Sequence, residues 1–281
     1  MLRLFEIHIF PDFGHRDITS LKGGELLAKF VSVAQKTNHG RPMTYLAKTL
    51  CQRCGEVFDF AYIENIAIMG NPCRLIMKHL PDHEVIHMKR ISLESLPDFI
   101  RVLLDYNGHE FTKAVMWLML YTAVRTISIR RMQRQDVNLQ EQLWTRQPEK
   151  RKKKSFPIPL PRQAVEVIKS IEQYVGKHPE DLLFPSVYNI RQPMSEAAIC
   201  QAIKRMGYDM VGHGIRGFVD TCLNDMGYPP HIIEAQFEHS KKKSKTELAY
   251  NHSTYYEQRF KMMQEWADHL DQYILQVKKV A

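Results

Sequence analysis

Apolar residues recur every three or four positions in two N-terminal stretches of the chain. Residues 24–36 place Leu27, Phe30, Val31 and Ala34 on one side, and a second such stretch follows Pro42. This spacing matches the period of an α-helix with one buried face. The pattern predicts an all-helical unit over roughly the first 85 residues, and we assign the first domain to residues 1–78.

The periodicity stops over residues 79–92 (HLPDHEVIHMKRIS), a stretch of mixed charge that we interpret as a linker. The second domain is then residues 93–281. Its first helix is predicted to begin near Ser95, with Pro97 in the first turn. The apolar stretch from Ala114 to Val124 is too short to span a bilayer and predicts a buried helix.

The rest of the second domain mixes strand and helix patterns. Residues 136–146 have strand character, and FPIPLP resumes an extended pattern after a run of Lys and Arg, which predicts a hairpin with a basic tip. Helical spacing returns over residues 162–175, 195–206, 213–227 and 229–239, and in an amphipathic tail over residues 255–274. The predicted fold class is mostly α with a small antiparallel β-sheet (α+β).

Composition narrows the class of protein. Hydrophobic residues make up 44% of the 281 residues and charged residues 25%, which is typical of a globular chain. The N-terminus offers no signal-peptide pattern, and five cysteines without a disulfide-like spacing favour a reducing compartment, so we expect a cytoplasmic protein. The net charge of +8 and a pI of about 9.1 favour a nucleic-acid partner.

Two dense basic runs are candidates for contact with DNA phosphates. They contain Lys150, Arg151, Lys152, Lys153 and Lys154 in the predicted hairpin tip, and Lys241, Lys242, Lys243 and Lys245 further on. Either run could instead be a solvated loop. Phosphate contacts of this kind would be independent of DNA sequence and sensitive to salt.

Phosphodiester transfer without a metal ion needs a particular set of side chains. Two arginines would hold the non-bridging oxygens, a nucleophile would attack in line, and an acid would protonate the leaving oxygen. The chain offers candidates in the order Arg125, a hairpin Lys, His213 with Arg216, His239 and Tyr250.

These candidates lie in four stretches that resemble the conserved boxes of tyrosine recombinases of the phage integrase family. The stretches are TAVRTISIRRMQRQDVNL, HGIRGFVDTCLNDMG, EAQFEHS and AYNHSTYYEQR. The first resembles the box in which a helix ends at an Arg before a strand begins. The resemblance extends to the tail and to the N-terminal stretch, which is similar to the core-binding domain of prophage and genomic-island integrases.

The resemblance implies a reaction and a role for each residue. Tyr250 would attack a DNA phosphate to give a 3′-phosphotyrosyl bond and a free 5′-hydroxyl, which then attacks a partner strand. Arg125 and Arg216 would clamp the phosphate, His213 would act as general base and His239 would donate a hydrogen bond to the phosphate. A hairpin Lys would be the acid. No cofactor and no metal ion are expected.

The resemblance also implies partners. These are double-stranded DNA attachment sites, accessory DNA-bending proteins, and further copies of the chain in a tetramer docked through the C-terminal helix. Such integrases usually carry an N-terminal domain that binds arm-type DNA sites, and this sequence is expected to lack it. Two other functions stay open, a DNA-binding remnant without catalysis and a relaxing activity like that of type IB topoisomerases.

Several positions depart from the family pattern. Ile127 and Ser128 stand where a Gly and an acidic residue are usual, and Glu238 stands where a small residue is common. The acid is ambiguous, because counting back from the FPIPLP strand selects Arg151 and counting forward from Glu149 selects Lys152. We choose Lys152, with Lys150 as the alternative.

Other motifs have simpler explanations. Tyr255 and Tyr256 compete with Tyr250 as nucleophile, but Tyr256 fits the apolar stripe of the tail. The CxxC pair at residues 51–54 lacks a second pair, which favours packing over a zinc site. The HExxH match at residues 83–87 follows Pro81 and lacks the helical context that a zinc protease needs.

Overall fold

The computed structural model describes residues 2–38, 40–66, 70–83, 89–147, 155–238 and 255–280. The chain divides into two compact units, residues 1–86 and 87–281. Residues 89–92 of the predicted linker belong to the second unit, where Ile91 is buried and Arg90 donates to the Thr221 hydroxyl. The predicted domain limits stay a prediction.

The first unit is mainly helical. Its elements are α1 (Leu2–His8), α2 (Phe10–Phe13), α3 (Gly23–Gln35), β1 (Thr37–Asn38), β2 (Arg41–Pro42), α4 (Thr44–Ile63) and α5 (Cys73–His79). The two periodic stretches form α3 and α4 as predicted, and Phe30 and Leu50 lie fully buried between them. The expectation of an all-helical unit is wrong in one detail, because β1 and β2 pair as a short antiparallel ribbon.

Hydrogen bonds of the Asn71 side chain join α4 to the start of α5. The Asn71 side chain donates to the Gly55 carbonyl and to the Asp59 carboxylate, at 2.8 and 2.9 Å, and accepts from the Cys73 amide. Cys51 and Cys54 lie in the buried core of this unit. Burial raises the pKa of the Cys54 thiol to about 12.

The second unit surrounds one buried helix. Its elements are α6 (Leu96–Leu104), α7 (Glu110–Thr122), α8 (Thr126–Arg130), β3 (Val137–Asn138), β4 (Leu143–Arg146), β5 (Phe156–Pro159), α9 (Arg162–Ile171), α10 (Glu196–Arg205), α11 (Gly212–Asp225), α12 (Pro230–Gln236) and α13 (Tyr256–Val280). From Phe111 onward, nearly every residue of α7 is buried, which confirms the prediction of a buried helix. The Trp266 indole of α13 donates to the Leu120 carbonyl at 2.8 Å.

The predicted strand over residues 136–146 is wrong, because the chain turns within it. The Asn138 carboxamide oxygen accepts from the amides of Gln140 and Glu141, and Gln142 adopts a left-handed conformation with φ 53°. Two antiparallel strands, β3 and β4, form in its place, and β4 pairs with β5. The predicted hairpin of β4 and β5 is confirmed.

The predicted fold class, mostly α with a small antiparallel sheet, is confirmed. The helix predicted over residues 162–175 is shorter, because α9 ends at Ile171 and a 3₁₀ turn covers Glu172–Tyr174. The tail helix is longer than predicted and reaches Val280. No helix in the described ranges is long and apolar enough to cross a membrane.

Candidate active site

Arg125 lies at a sharp turn between two helices. Helix α7 ends at Thr122, and Ala123 takes a left-handed conformation with φ 54°. Arg125 then stands in an extended conformation directly before the first residue of α8. Its side chain is exposed, so its guanidinium is accessible to a ligand.

Helix α11 reaches this turn because its first residue, Gly212, has no side chain. A Cβ atom on Gly212 would lie 2.7 Å from the Thr126 Cγ2 atom, and one on Gly214 would lie 2.5 Å from the Lys89 carbonyl oxygen. His213 is exposed between these glycines, and Arg216 follows one turn later. The close approach therefore places the start of α11 beside the residue that follows Arg125.

Arg216 is buried, with only 4% of its surface exposed. Its Nη1 donates to the Ala123 carbonyl at 2.7 Å, and its Nη2 donates to the Phe237 carbonyl. The guanidinium also lies over the Phe237 ring, 4.5 Å from the centroid. Arg216 thus joins the turn before Arg125 to the end of α12.

Burial and, to a smaller extent, the charge of Arg125 lower the pKa of Arg216 to about 10. Glu238 and Asp220 act in the opposite direction. The contribution of Arg125 to the pKa of Arg216 means that the two positive charges lie within electrostatic range of each other.

Glu238, the departure from the family pattern before His239, forms an ion pair. It adopts a left-handed conformation with φ 49° at the end of α12. Its Oε2 accepts from Arg146 Nη2 at 2.5 Å, and both side chains are largely shielded from solvent. The pair connects β4, which leads into the basic run, to the residue that precedes His239.

Ser128 lines a cleft of about 280 Å³ beside the sheet, which the buried Asp136 carboxylate also lines. The Gln147 side chain donates to Asp136 at 2.9 Å. Ser128 stands where the family usually has an acidic residue, and the cleft beside it contains a carboxylate, that of Asp136.

Two further buried polar residues connect these segments, and the sequence does not single them out. The Gln236 Nε2 donates to the Thr122 carbonyl at 2.7 Å, and its Oε1 accepts from Arg259 Nη1 at 3.1 Å. Arg259 Nη2 donates to the Pro157 carbonyl at 2.7 Å. Both residues fall inside the quoted boxes, in EAQFEHS and AYNHSTYYEQR. Arg259 interrupts an otherwise apolar helix stripe, which is the one signal of its burial.

Several predicted site residues lie outside the described residues. They are Lys150, Arg151, Lys152, Lys153, Lys154, His239, Lys241, Lys242, Lys243, Lys245 and Tyr250. Only residues on either side of them are described. Arg146 and Phe156 lie on either side of the first basic run, and Glu238 and Tyr255 lie on either side of the segment with His239, the second run and Tyr250. Most of the HExxH match also lies outside them, and among the described residues no cluster of His, Cys, Asp and Glu could hold a metal ion.

Known proteins of one family are similar to this chain in sequence and in fold. The family model described as the phage integrase family matches residues 89–257, more than half of the chain. The integrase of Enterobacteria phage P4 is 31% identical over 291 residues, which cover 96% of this chain and 64% of that protein. Prophage integrase IntZ of Escherichia coli K12 is also 31% identical, with 95% of this chain and 64% of that protein covered. The chain therefore spans just under two thirds of the length of these relatives.

Solved structures agree in fold. The Tn1549 transposon integrase in complex with circular intermediate DNA matches with a TM-score of 0.67 at 15% identity, covering 93% of this chain and 91% of that one. A lambda integrase dimer bound to a COC′ core site matches with a TM-score of 0.64 at 14% identity, covering 85% of this chain and 87% of that one. At these identities the likeness shows the fold alone. The match to the family model confirms the resemblance drawn from the sequence boxes, and the chain belongs to the phage integrase family of tyrosine recombinases.

Proposed function

We propose that this chain is a site-specific DNA recombinase that integrates or excises a mobile element. The observation that carries the proposal is the pairing of Arg125 with the buried Arg216, at the point where α11 meets the turn between α7 and α8. Membership of the phage integrase family and relatives named as integrases support the same function.

The two arginines suit the binding of a phosphate. A guanidinium has five N–H donors, and within the described residues Arg216 uses one on the Ala123 carbonyl and one on the Phe237 carbonyl, which leaves other donors for a ligand. Its pKa of about 10 keeps it positively charged at neutral pH. Arg125 adds an exposed second charge, and two fixed charges stabilise the charge on the transferred phosphate.

In the proposed reaction Tyr250 attacks the scissile phosphate, with His213 accepting its phenolic proton. A bond forms between the tyrosine oxygen and phosphorus, the bond to the 5′-oxygen breaks, and Lys152 protonates that oxygen. His239 donates a hydrogen bond to the phosphate. The scheme uses no cofactor, because the 3′-phosphotyrosyl bond conserves the energy that rejoining requires.

The proposed partner is double-stranded DNA at an attachment site, contacted by the Lys150–Lys154 and Lys241–Lys245 runs. The structural neighbours include integrases bound to DNA, which supports this partner. A homotetramer docked through α13, the help of DNA-bending proteins and a cytoplasmic location are further parts of the proposal. Contacts from these Lys runs would weaken steeply as salt concentration rises.

A nicked duplex tests the function, because loss of a short 5′ fragment traps the covalent intermediate. The duplex is built from a sequence that the chain enriches from a randomised pool. We expect a covalent adduct with the wild-type chain, none with Arg125→Ala, and strand transfer between two intact sites. DNA binding without an adduct would identify a catalytically inactive remnant. Plasmid relaxation without strand transfer would identify a topoisomerase-like activity, and either result contradicts the proposal.

A further inference from the structure

A buried chain of hydrogen bonds crosses the second unit beside the two arginines. It runs from the Thr122 carbonyl through the Gln236 and Arg259 side chains to the Pro157 carbonyl, and we name it the Gln236–Arg259 chain. Gln236 is 1% exposed and Arg259 is fully buried. The Gln236–Arg259 chain joins the ends of helices α7 and α12 to the first turn of α13 and to strand β5.

Two buried side chains donate hydrogen bonds to successive carbonyl groups at the end of α7. The last carbonyl groups of a helix lack donors within the helix. Here Gln236 donates to the Thr122 carbonyl and Arg216 donates to the next one, that of Ala123. Arg216 also donates to the carbonyl of Phe237, the residue after Gln236. The backbone just before Arg125 is therefore fixed to the backbone just before His239.

Arg259 is a costly choice if its role is only to fill the core. Neighbouring buried residues of α13 include Met262, Met263 and Trp266. Burial lowers the pKa of Arg259 to about 10, and its guanidinium lies 4.5 Å from the centroid of the Phe156 ring. Replacing a buried ion pair with apolar residues of similar volume is often neutral or stabilising, so burial of a charged side chain is weak evidence for a purely stabilising role. A guanidinium at this position instead fixes the relative position of two elements, because it donates to an acceptor on each of them.

We propose that Gln236 and Arg259 are positioning residues for DNA strand cleavage. They join the two ends of the segment that carries His239 and Tyr250, and they fix both ends to the backbone that leads into Arg125. Through Pro157 they also fix β5, the strand that follows the basic run. The inference rests on the proposed function, because it assigns a role within that reaction.

The test uses Gln236→Met, which keeps the side-chain length, and Arg259→Met, which keeps the apolar stem without the guanidinium. Both substitutions remove the hydrogen bonds. Arg259→Lys is the milder variant, since one ammonium group cannot hold both acceptors with the geometry of a guanidinium. The probe is the nicked duplex made from the sequence that the wild-type chain enriches. Three quantities are measured: the dissociation constant, the single-turnover rate of adduct formation at saturating DNA, and the melting temperature.

We expect the Met variants to form the adduct about tenfold or more slowly, because small displacements of reacting groups are costly. The dissociation constants should stay within about twofold of wild type, since neither buried residue reaches the DNA. The double variant should lose no more rate than the worse single variant, because both residues act through one connected chain.

Ile168→Ala is the control, because Ile168 is buried in α9 and takes part in none of the hydrogen bonds of the Gln236–Arg259 chain. It should lower the melting temperature and leave the adduct rate unchanged when assayed well below that temperature. Unchanged rates in the Met variants, multiplicative losses in the double variant, or an equal loss in Ile168→Ala would overturn the positioning role while the wild-type chain still cleaves. A wild-type chain that forms no adduct would overturn the proposed function and this inference with it.

Discussion

Arg125 and Arg216 receive the same proposed task on the phosphate, but the fold surrounds them differently. Arg216 is buried and donates to two carbonyl groups, whereas Arg125 is exposed. Replacing each with Lys makes the same chemical change in two environments. The pair of variants separates what an arginine contributes to the fold from what it contributes to the reaction.

The expected cost follows from the contacts. A lysine at position 216 can serve one of the two carbonyl groups, and a hydrogen bond to a charged group contributes about 1.5–3 kcal/mol. Arg216→Lys should lower the free energy of unfolding by that amount. The melting temperature should then fall by about 3–12 °C, at roughly 2–4 °C per kcal/mol for a unit of this size. Arg125→Lys should stay within about 0.5 kcal/mol of wild type, as exposed substitutions usually do.

Two assays separate the effects. Thermal unfolding followed by circular dichroism gives the stability, and trapping on the nicked duplex gives the cleavage rate. We expect Arg125→Lys to slow cleavage without loss of stability, and Arg216→Lys to reduce both. A melting temperature for Arg216→Lys equal to that of wild type would refute the structural role of its carbonyl contacts. An equal loss of stability in Arg125→Lys would show that burial does not distinguish the two arginines.

Three further predictions use matched variants or probes. Gly214→Ala should destabilise the protein, because the added Cβ would lie 2.5 Å from a backbone carbonyl oxygen. At Gly217 a Cβ would meet no atom closer than 4.0 Å, so Gly217→Ala should stabilise α11 by up to about 1 kcal/mol, as measured by urea unfolding. Gln142→Gly should stabilise the turn before β4 by up to about 1 kcal/mol, because Gln142 is left-handed and glycine adopts that conformation without strain. Gln140→Gly should destabilise the turn, so the two shifts in melting temperature should have opposite signs, and equal shifts would contradict the prediction. Under native conditions iodoacetamide should modify the half-buried Cys200 before the four buried cysteines, and mass spectrometry of peptides that shows another order would contradict the described burial.

The sequence predicts best where a long apolar period decides the structure. Helices α3 and α4 follow from their apolar stripes, because burying such a face requires a helix. Helix α7 follows from a continuous apolar stretch, and it is buried on nearly every side. The break between β3 and β4 does not follow, since it depends on one Asn138 side chain and on a left-handed Gln142, a conformation that glutamine rarely adopts.

The site divides in the same way. Arg125 and Arg216 come from two different sequence boxes, and in the structure the charge of Arg125 acts on the buried Arg216. Their role on a phosphate stays a prediction. Gln236 could not be found from the pattern, because polar residues on helices are usually exposed and only tertiary contacts bury it. For Arg259 the one signal in the sequence is its position in an otherwise apolar helix stripe. The roles of Lys152, His239 and Tyr250 stay predictions, since these residues lie outside the described ranges.

The identity of the residue that becomes joined to DNA tests the account most directly. The adduct trapped on the nicked duplex is digested with protease and nuclease, and the modified peptide is sequenced by tandem mass spectrometry. We predict a nucleotide on Tyr250, and no adduct with Tyr250→Phe, while Tyr255→Phe and Tyr256→Phe still form it. A modification on Tyr255 or Tyr256, or an adduct that persists in Tyr250→Phe, would contradict the assignment of the nucleophile.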